Sequence, residues 1–255
     1  MLNPEARAVR WATTAVSVLA GGALWEFAGR RASPAVAAPL SATLHRLWEM
    51  IHTGELTASL GGSLLLFVLG FGIALVTALP FGLLLSRVRA LRIALSDYIM
   101  LVNAMPMVAL IPFILSIFGL EFGAKVLVVF LFCFFPILYN TIEGAGSVRP
   151  ELIEVARSYR SGEWAIWRDV MLPGTFPYAM TGMRQAIGRG LVGVVAAEFF
   201  LSASGIGQLL LTSGRNFDTA GLLATVLVIT LLGVALMGLG RALEHRFTAW
   251  RGLTR

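Results

Sequence analysis

Charge is scarce in this chain. Of its 255 residues, 13% are Asp, Glu, Lys or Arg, about half the share usual in soluble domains. A water-soluble core of this size needs a polar skin, and a mean hydropathy of +0.81 leaves too little to make one, so much of the surface must face lipid. Cysteine is as scarce. Cys133 stands alone in an apolar run, which excludes an intrachain disulfide framework and reads as a core thiol. Lysine occurs once, at Lys125, and the arginines sit in short clusters between apolar stretches. A net charge of +6 in that distribution suits a membrane protein better than a nucleic-acid binder. No Gly-x-x-x-x-Gly-Lys-Ser/Thr is present, so the chain has no phosphate-cradling loop and cannot hydrolyse ATP by itself. His45, His52 and His245 fall outside the apolar runs, which leaves Ser204 without an imidazole at depth, and no Cys, His or carboxylate grouping has metal-ligand spacing.

What the chain does have is a series of apolar stretches long enough to cross about 30 Å of hydrocarbon. They predict an all-α integral membrane protein with six transmembrane helices, at about 11–29, 60–85, 97–118, 125–142, 179–201 and 219–240. The fifth is interrupted by Arg184, Arg189 and Glu198, yet its glycines and alanines allow close backbone approach inside a bundle. Arg7, Arg10, the run after them and Ala35-Val36-Ala37 also fit the outline of a cleaved secretory signal, a rival to the first span. With the N-terminus inside, only Arg30, Arg31, Arg46, Lys125 and Arg215 of the 20 Lys and Arg residues fall outside. That bias places both termini in the cytoplasm, with Arg184 and Arg189 assigned to a helix end.

The longest internal segment, 143–178, is polar and organised. Pro150 suits a first helical position, Glu151 and Glu154 occupy early turns where the helix dipole favours acids, and Leu152, Ile153, Ala156 and Tyr159 share a face. Ser161-Gly162 ends that helix. A second is expected to begin with Ser161 as its cap, to present Trp164, Trp167 and Met171, and to stop before Pro173. From periodicity alone the pair is either a docking surface or an interfacial anchor carried by Trp164 and Trp167.

Glu154-Val155-Ala156, followed by Val170, Leu172 and Pro173, resembles the cytoplasmic signature of binding-protein-dependent ABC importer permeases. The family's glycine, six residues after the glutamate, is Arg160 here, and the nearest glycine is Gly162. Arg160 is therefore expected to be right-handed helical, with Gly162 supplying any positive φ. Asn103 to Pro112, Phe135 to Thr141 and Val195 to Glu198 are similar to segments of the sulfonate, nitrate and taurine group of these permeases, so the resemblance spans roughly Leu56 to Trp250. It implies an ABC importer permease fold with cytoplasmic coupling helices, located in the bacterial cytoplasmic (inner) membrane. It also implies a second copy of the chain, two cytoplasmic ATPase subunits that hold ATP and Mg, an extracytoplasmic substrate-binding protein, and no cofactor in this chain. The ATPase-coupling residues carried over are Glu154, Ala156, Ser158, Tyr159, Arg160, Ser161, Gly162 and Trp164.

Polar groups are costly in hydrocarbon, so Asn103, Ser116, Asn140, Gln185 and Glu198 are candidates either for the solute path or for interhelical hydrogen bonds. Pro106 and Pro112 free backbone carbonyls in the third span, and Met105 and Met107 flank the first break. Asn103, Met105, Pro106, Met107 and Glu198 are the expected pathway or gate residues, and the resemblance implies a small solute of the sulfonate, nitrate or taurine kind as cargo. An ATP-independent secondary transporter is the alternative, and it would want inverted repeats that the sequence does not display.

Overall fold

A computed structural model describes residues 4–33, 36–201 and 204–247. Ala35 of the signal-like tripeptide, Trp250, Arg251 and Arg255 lie outside them. Among the described residues the chain is helical: α1 (Pro4–Arg31), α2 (Leu40–His52), α3 (Glu55–Arg87), α4 (Arg89–Ala104), a 3-10 turn (Met107–Leu110), α5 (Ile111–Phe118), α6 (Phe122–Gly146), α7 (Pro150–Ser158), α8 (Glu163–Ile166), a π-helical turn (Trp167–Met171), α9 (Leu172–Leu201), α10 (Ile206–Arg215) and α11 (Thr219–Phe247).

Three helices, α3, α6 and α11, are long and apolar enough to cross a membrane, and α4 with the 3-10 turn and α5 passes the same test as a bent pair. The stretches 11–29 and 179–201 lie within α1 and α9, which are long but less apolar.

The core is the α3, α6 and α9 sandwich, and small residues bring these helices together. A Cβ added to Gly70 of α3 would lie 2.6 Å from Val129 of α6, and one on Gly190 of α9 would lie 2.6 Å from the Cys133 sulfur. Backbones at that distance gain dispersion contacts that lipid tails cannot match, the association mode expected of helices without a hydrophobic driving force between them. Leu66, Phe67, Ala74, Ile137, Ala186 and Val194 fill the space between them.

The break expected at Pro106 is a 90° bend between α4 and the 3-10 turn, while two other expectations are corrected by the backbone. Met105 is extended (φ −68°, ψ 141°) because the ring of Pro106 forbids the helical conformation to its predecessor. Pro112 breaks nothing, since it falls in the first turn of α5, where an N–H has no intrahelical partner to lose. Nor does the second loop helix stop before Pro173. It continues through the π turn, where the Leu172 N–H donates to the Trp167 carbonyl five residues back, and passes without interruption into α9. A proline lacks the N–H that a regular turn would use, and the wider turn accommodates that loss.

α2 and α10, which are not among the six expected spans, are amphipathic helices. Arg46 of α2 reaches Asp218 at 3.1 Å, Glu55 at 3.4 Å and Glu49 at 3.6 Å. Burial opposes charge on Arg46, but its hydrogen bond to Asp218 and the three carboxylates outweigh burial and hold its pKa above the ordinary value. Asp218 Oδ1 in turn accepts from the Gly221 N–H, capping α11. One ion-pair cluster thus ties α2, α3 and α11.

Candidate functional site

The first candidate site is the turn between α7 and α8. Pro150 opens α7 and Glu151 sits in its first turn, as the sequence predicts. At the other end the Ser161 N–H donates to the Ala156 carbonyl (3.1 Å) and the Arg160 N–H to the Arg157 carbonyl (2.8 Å). These nested bonds form a Schellman motif, which demands a left-handed residue between them. That residue is Arg160, with φ +56°. The expectation for the pair is reversed: Arg160 supplies the positive φ, while Gly162 is extended (φ −66°) and is the N-terminal flank of α8. The reason is that the motif's spacing from the last helical carbonyls selects the left-handed position, whatever side chain stands there. Ser161 is likewise not the cap of α8.

Side chains brace this turn from both sides. Arg157 pairs with Glu163 at 3.1 Å across it, and Ser158 Oγ donates to the Glu154 carbonyl. The Glu154 side chain itself is exposed and has no hydrogen-bond partner among the described residues. Trp164 stacks on Trp167 with ring centroids 5.2 Å apart, and the Arg87 guanidinium from the end of α3 lies 5.6 Å over the Trp164 ring. Tyr159 is 82% exposed and Trp164 58%. The turn thus holds two unburied aromatic rings on a braced backbone.

The second candidate site is the break after α4. Because α4 ends at Ala104, the Asn103 carbonyl loses its helical partner. Arg189 of α9 takes that place: its Nη1 donates to the Asn103 carbonyl at 3.3 Å and to Asn103 Oδ1 at 2.9 Å. A cavity of about 310 Å³ opens beside this pair, and Asn103, Met105, Pro106 and Met107 all line it. Arg189 is the residue that sequence reasoning missed, since the arginine assignment puts it at a cytoplasmic helix end. The available signal was a lone cation in the apolar run that follows Arg184.

Glu198 does not line this cavity. It is 3% exposed; one carboxylate oxygen accepts from Ser63 Oγ at 2.6 Å and the other from the Gly207 N–H at 2.7 Å. Ser63 Oγ accepts from the Ile206 N–H at 2.9 Å. Glu198 and Ser63 therefore cap α10 from two other helices, and Gly205 (φ +106°) makes room, since a Cβ there would fall 2.3 Å from the carboxylate. Asn140 and Gln185 bond to each other between α6 and α9 at 3.3 Å, and Ser116 bonds back to the Pro112 carbonyl.

A helical membrane component with an exposed braced turn and a broken helix beside a cavity walled by Asn103, Arg189 and apolar side chains has the make-up of a solute permease. Residues 70–249 match the family described as binding-protein-dependent transport system inner membrane component. The chain belongs to this family, the permease subunits of ABC importers. It is similar to a putative ABC transporter permease protein of Methanocaldococcus jannaschii, with 30% identity over 86% of this chain and 82% of the relative. The taurine transport system permease protein of Escherichia coli is 30% identical over 76% of this chain and 70% of its own length. The riboflavin transport system permease protein of Chloroflexus aurantiacus is 32% identical, covering 80% and 76% respectively.

Proposed function

We propose that two copies of this chain form the translocation path of a multi-pass, inner-membrane importer, each with six spans and cytoplasmic termini. On this reading α1 and α9 cross the membrane beside α3, the broken α4–α5 unit, α6 and α11. Two ATPase subunits seat on the α7–α8 turns, and an extracytoplasmic binding protein delivers a small solute.

The observation that carries this reading is continuity. Glu163 to Leu201 is helical throughout, so the exposed Trp164 face and the core-packed Gly190 belong to one continuous helical segment. A force applied to Tyr159 and Trp164 by a closing partner moves α9 against α6 and α3, the requirement for coupling a distant ATPase to the path. Exposure along α9 supports the second copy. Tyr178, Gln185, Arg189 and Val192 form one uncovered stripe, and a guanidinium on that stripe is ill-suited to hydrocarbon but suited to a wet axis between subunits. The secondary-transporter alternative has little support, because both oxygens of Glu198, the acid nearest the bundle's interior, are committed to Ser63 and Gly207.

Reconstitution tests it. Proteoliposomes containing the chain, its co-purifying ATPase and its binding protein should accumulate the bound solute only when ATP is present on the ATPase side. Uptake that persists without the ATPase would overturn the reading.

A further inference from the structure

We propose that the cavity beside Arg189 is a transient binding site for a compact organic anion on its way through the permease, with the charged end on Arg189 and the short organic body against Met105, Met107 and Phe135. The proposal rests on the permease reading and adds to it a site and the residue that receives the charge of the cargo.

Depth is the first argument. Arg189 lies twelve residues before Leu201, about 18 Å down the helix at 1.5 Å per residue. The residues between Arg189 and Glu198 carry no charge. A cation at that depth persists only where it is paired or wet. Among the described residues no carboxylate lies within ion-pair distance of Arg189; its only hydrogen bonds there are the two from Nη1 to Asn103. Those bonds fix the guanidinium at the helix break and leave Nε and Nη2 available, the fork that matches a planar or tetrahedral oxyanion. Accepting through Oδ1 also leaves the Asn103 Nδ2 as a further donor.

Shape is the second. The cavity of about 310 Å³ has Asn103 and Arg189 as its polar wall, and Met105, Pro106, Met107 and Phe135 among its apolar ones. This volume is at the small end of ligand sites, too small for a large nucleotide-like molecule. One charged end and one apolar end select an alkyl sulfonate or carboxylate over an inorganic ion, which would leave the apolar wall unmatched, and over a cation, which Arg189 repels. The two methionines are flexible enough to close on different organic bodies. A single arginine with no counter-charge beside it also keeps binding weak enough for release, as a path requires.

The test uses a probe of this chemistry. In a Cys133→Ala, Met105→Cys background, the full complex with its ATPase in nanodiscs is treated with 2-sulfonatoethyl methanethiosulfonate, itself a small alkyl sulfonate. A parallel sample receives the trimethylammonium analogue of similar size. The ratio of the two labelling rates cancels the thiolate fraction of the new cysteine. Adding Arg189→Gln should lower the anion-to-cation ratio about tenfold, equivalent to about 1.4 kcal/mol, while Arg189→Lys should retain most of it. Excess methanesulfonate should slow the anionic reagent only when residue 189 is a cation. A ratio unmoved by Arg189→Gln overturns the site, and so does failure of both reagents to reach the introduced thiol while Arg189 is intact. Retention of the ATPase in the same preparations reports separately on the permease reading.

Discussion

The Ser161 amide donates to the Ala156 carbonyl at 3.1 Å, closing the end of α7 over an arginine held in the left-handed conformation. Glycine is the residue that conformation ordinarily requires, because any Cβ crowds the following carbonyl. Arg160 holds it because two nested hydrogen bonds and the Arg157–Glu163 pair over-determine the turn.

Arg160→Gly should therefore stabilise the detergent-solubilised protein by about 1 kcal/mol, with no loss of ATPase retention. Arg160→Val, which puts a β-branched side chain at positive φ, should lower both. Gly162→Ala should be neutral, since Gly162 has negative φ and an added Cβ meets nothing within 4 Å. Thermal melts and pull-downs of the three variants check this; a destabilised Arg160→Gly protein contradicts it.

The exposed rings at that turn lead to a separate expectation. Replacing both Tyr159 and Trp164 by Ala should leave the melting temperature within a few degrees of wild type, since neither ring is part of the core, yet weaken ATPase retention at least tenfold. Unchanged retention with normal transport would make the turn a membrane-face anchor only.

Glu198→Ala should cost roughly 1–3 kcal/mol, because it strands the Gly207 N–H in a buried site, while the Ser63 hydroxyl keeps the Ser59 carbonyl as an acceptor. Gly205→Ala should act on the same clasp by forcing a methyl group into the carboxylate at an unfavourable φ. Faster amide exchange confined to α10 and its contacts with α3 is the signature to measure.

In the ion-pair cluster of α2, Asp218→Ala should cost about 1–2 kcal/mol through loss of the α11 cap together with the Arg46 pair, whereas Asp218→Asn, which can still accept from Gly221, should cost less. Equal effects from both variants would assign the whole cost to the ion pair.

Orientation is checked by single cysteines in a Cys133→Ala background. Cysteines at Thr53 and Asn216 should react with an impermeant thiol reagent applied outside, and cysteines at Ala90 and Ser158 should not. All four positions are exposed. The opposite pattern inverts the topology.

Much of this protein was legible in its residues. Long apolar runs, the start of α7 at Pro150 and the break before Pro106 follow from local chemistry, since hydrocarbon thickness, a missing N–H and a proline ring act within a few residues of one another. Ser161-Gly162 marked the turn after α7, and the family resemblance at Glu154, Ala156 and Leu172-Pro173 pointed to the same segment. What local reasoning could not reach were partnerships between distant positions. Arg189 finds Asn103 across 86 residues and Glu198 finds Ser63 across 135, so whether each charge serves a path or a clasp depends on which helix packs beside it. The handedness of Arg160 was decided more locally, by hydrogen bonds spanning three and five residues at the end of α7, which outweigh the residue's own preference. Sequence determined where the long apolar helices form and that the chain breaks at Pro106; only tertiary packing decided which polar groups that break and the helix ends would bring together.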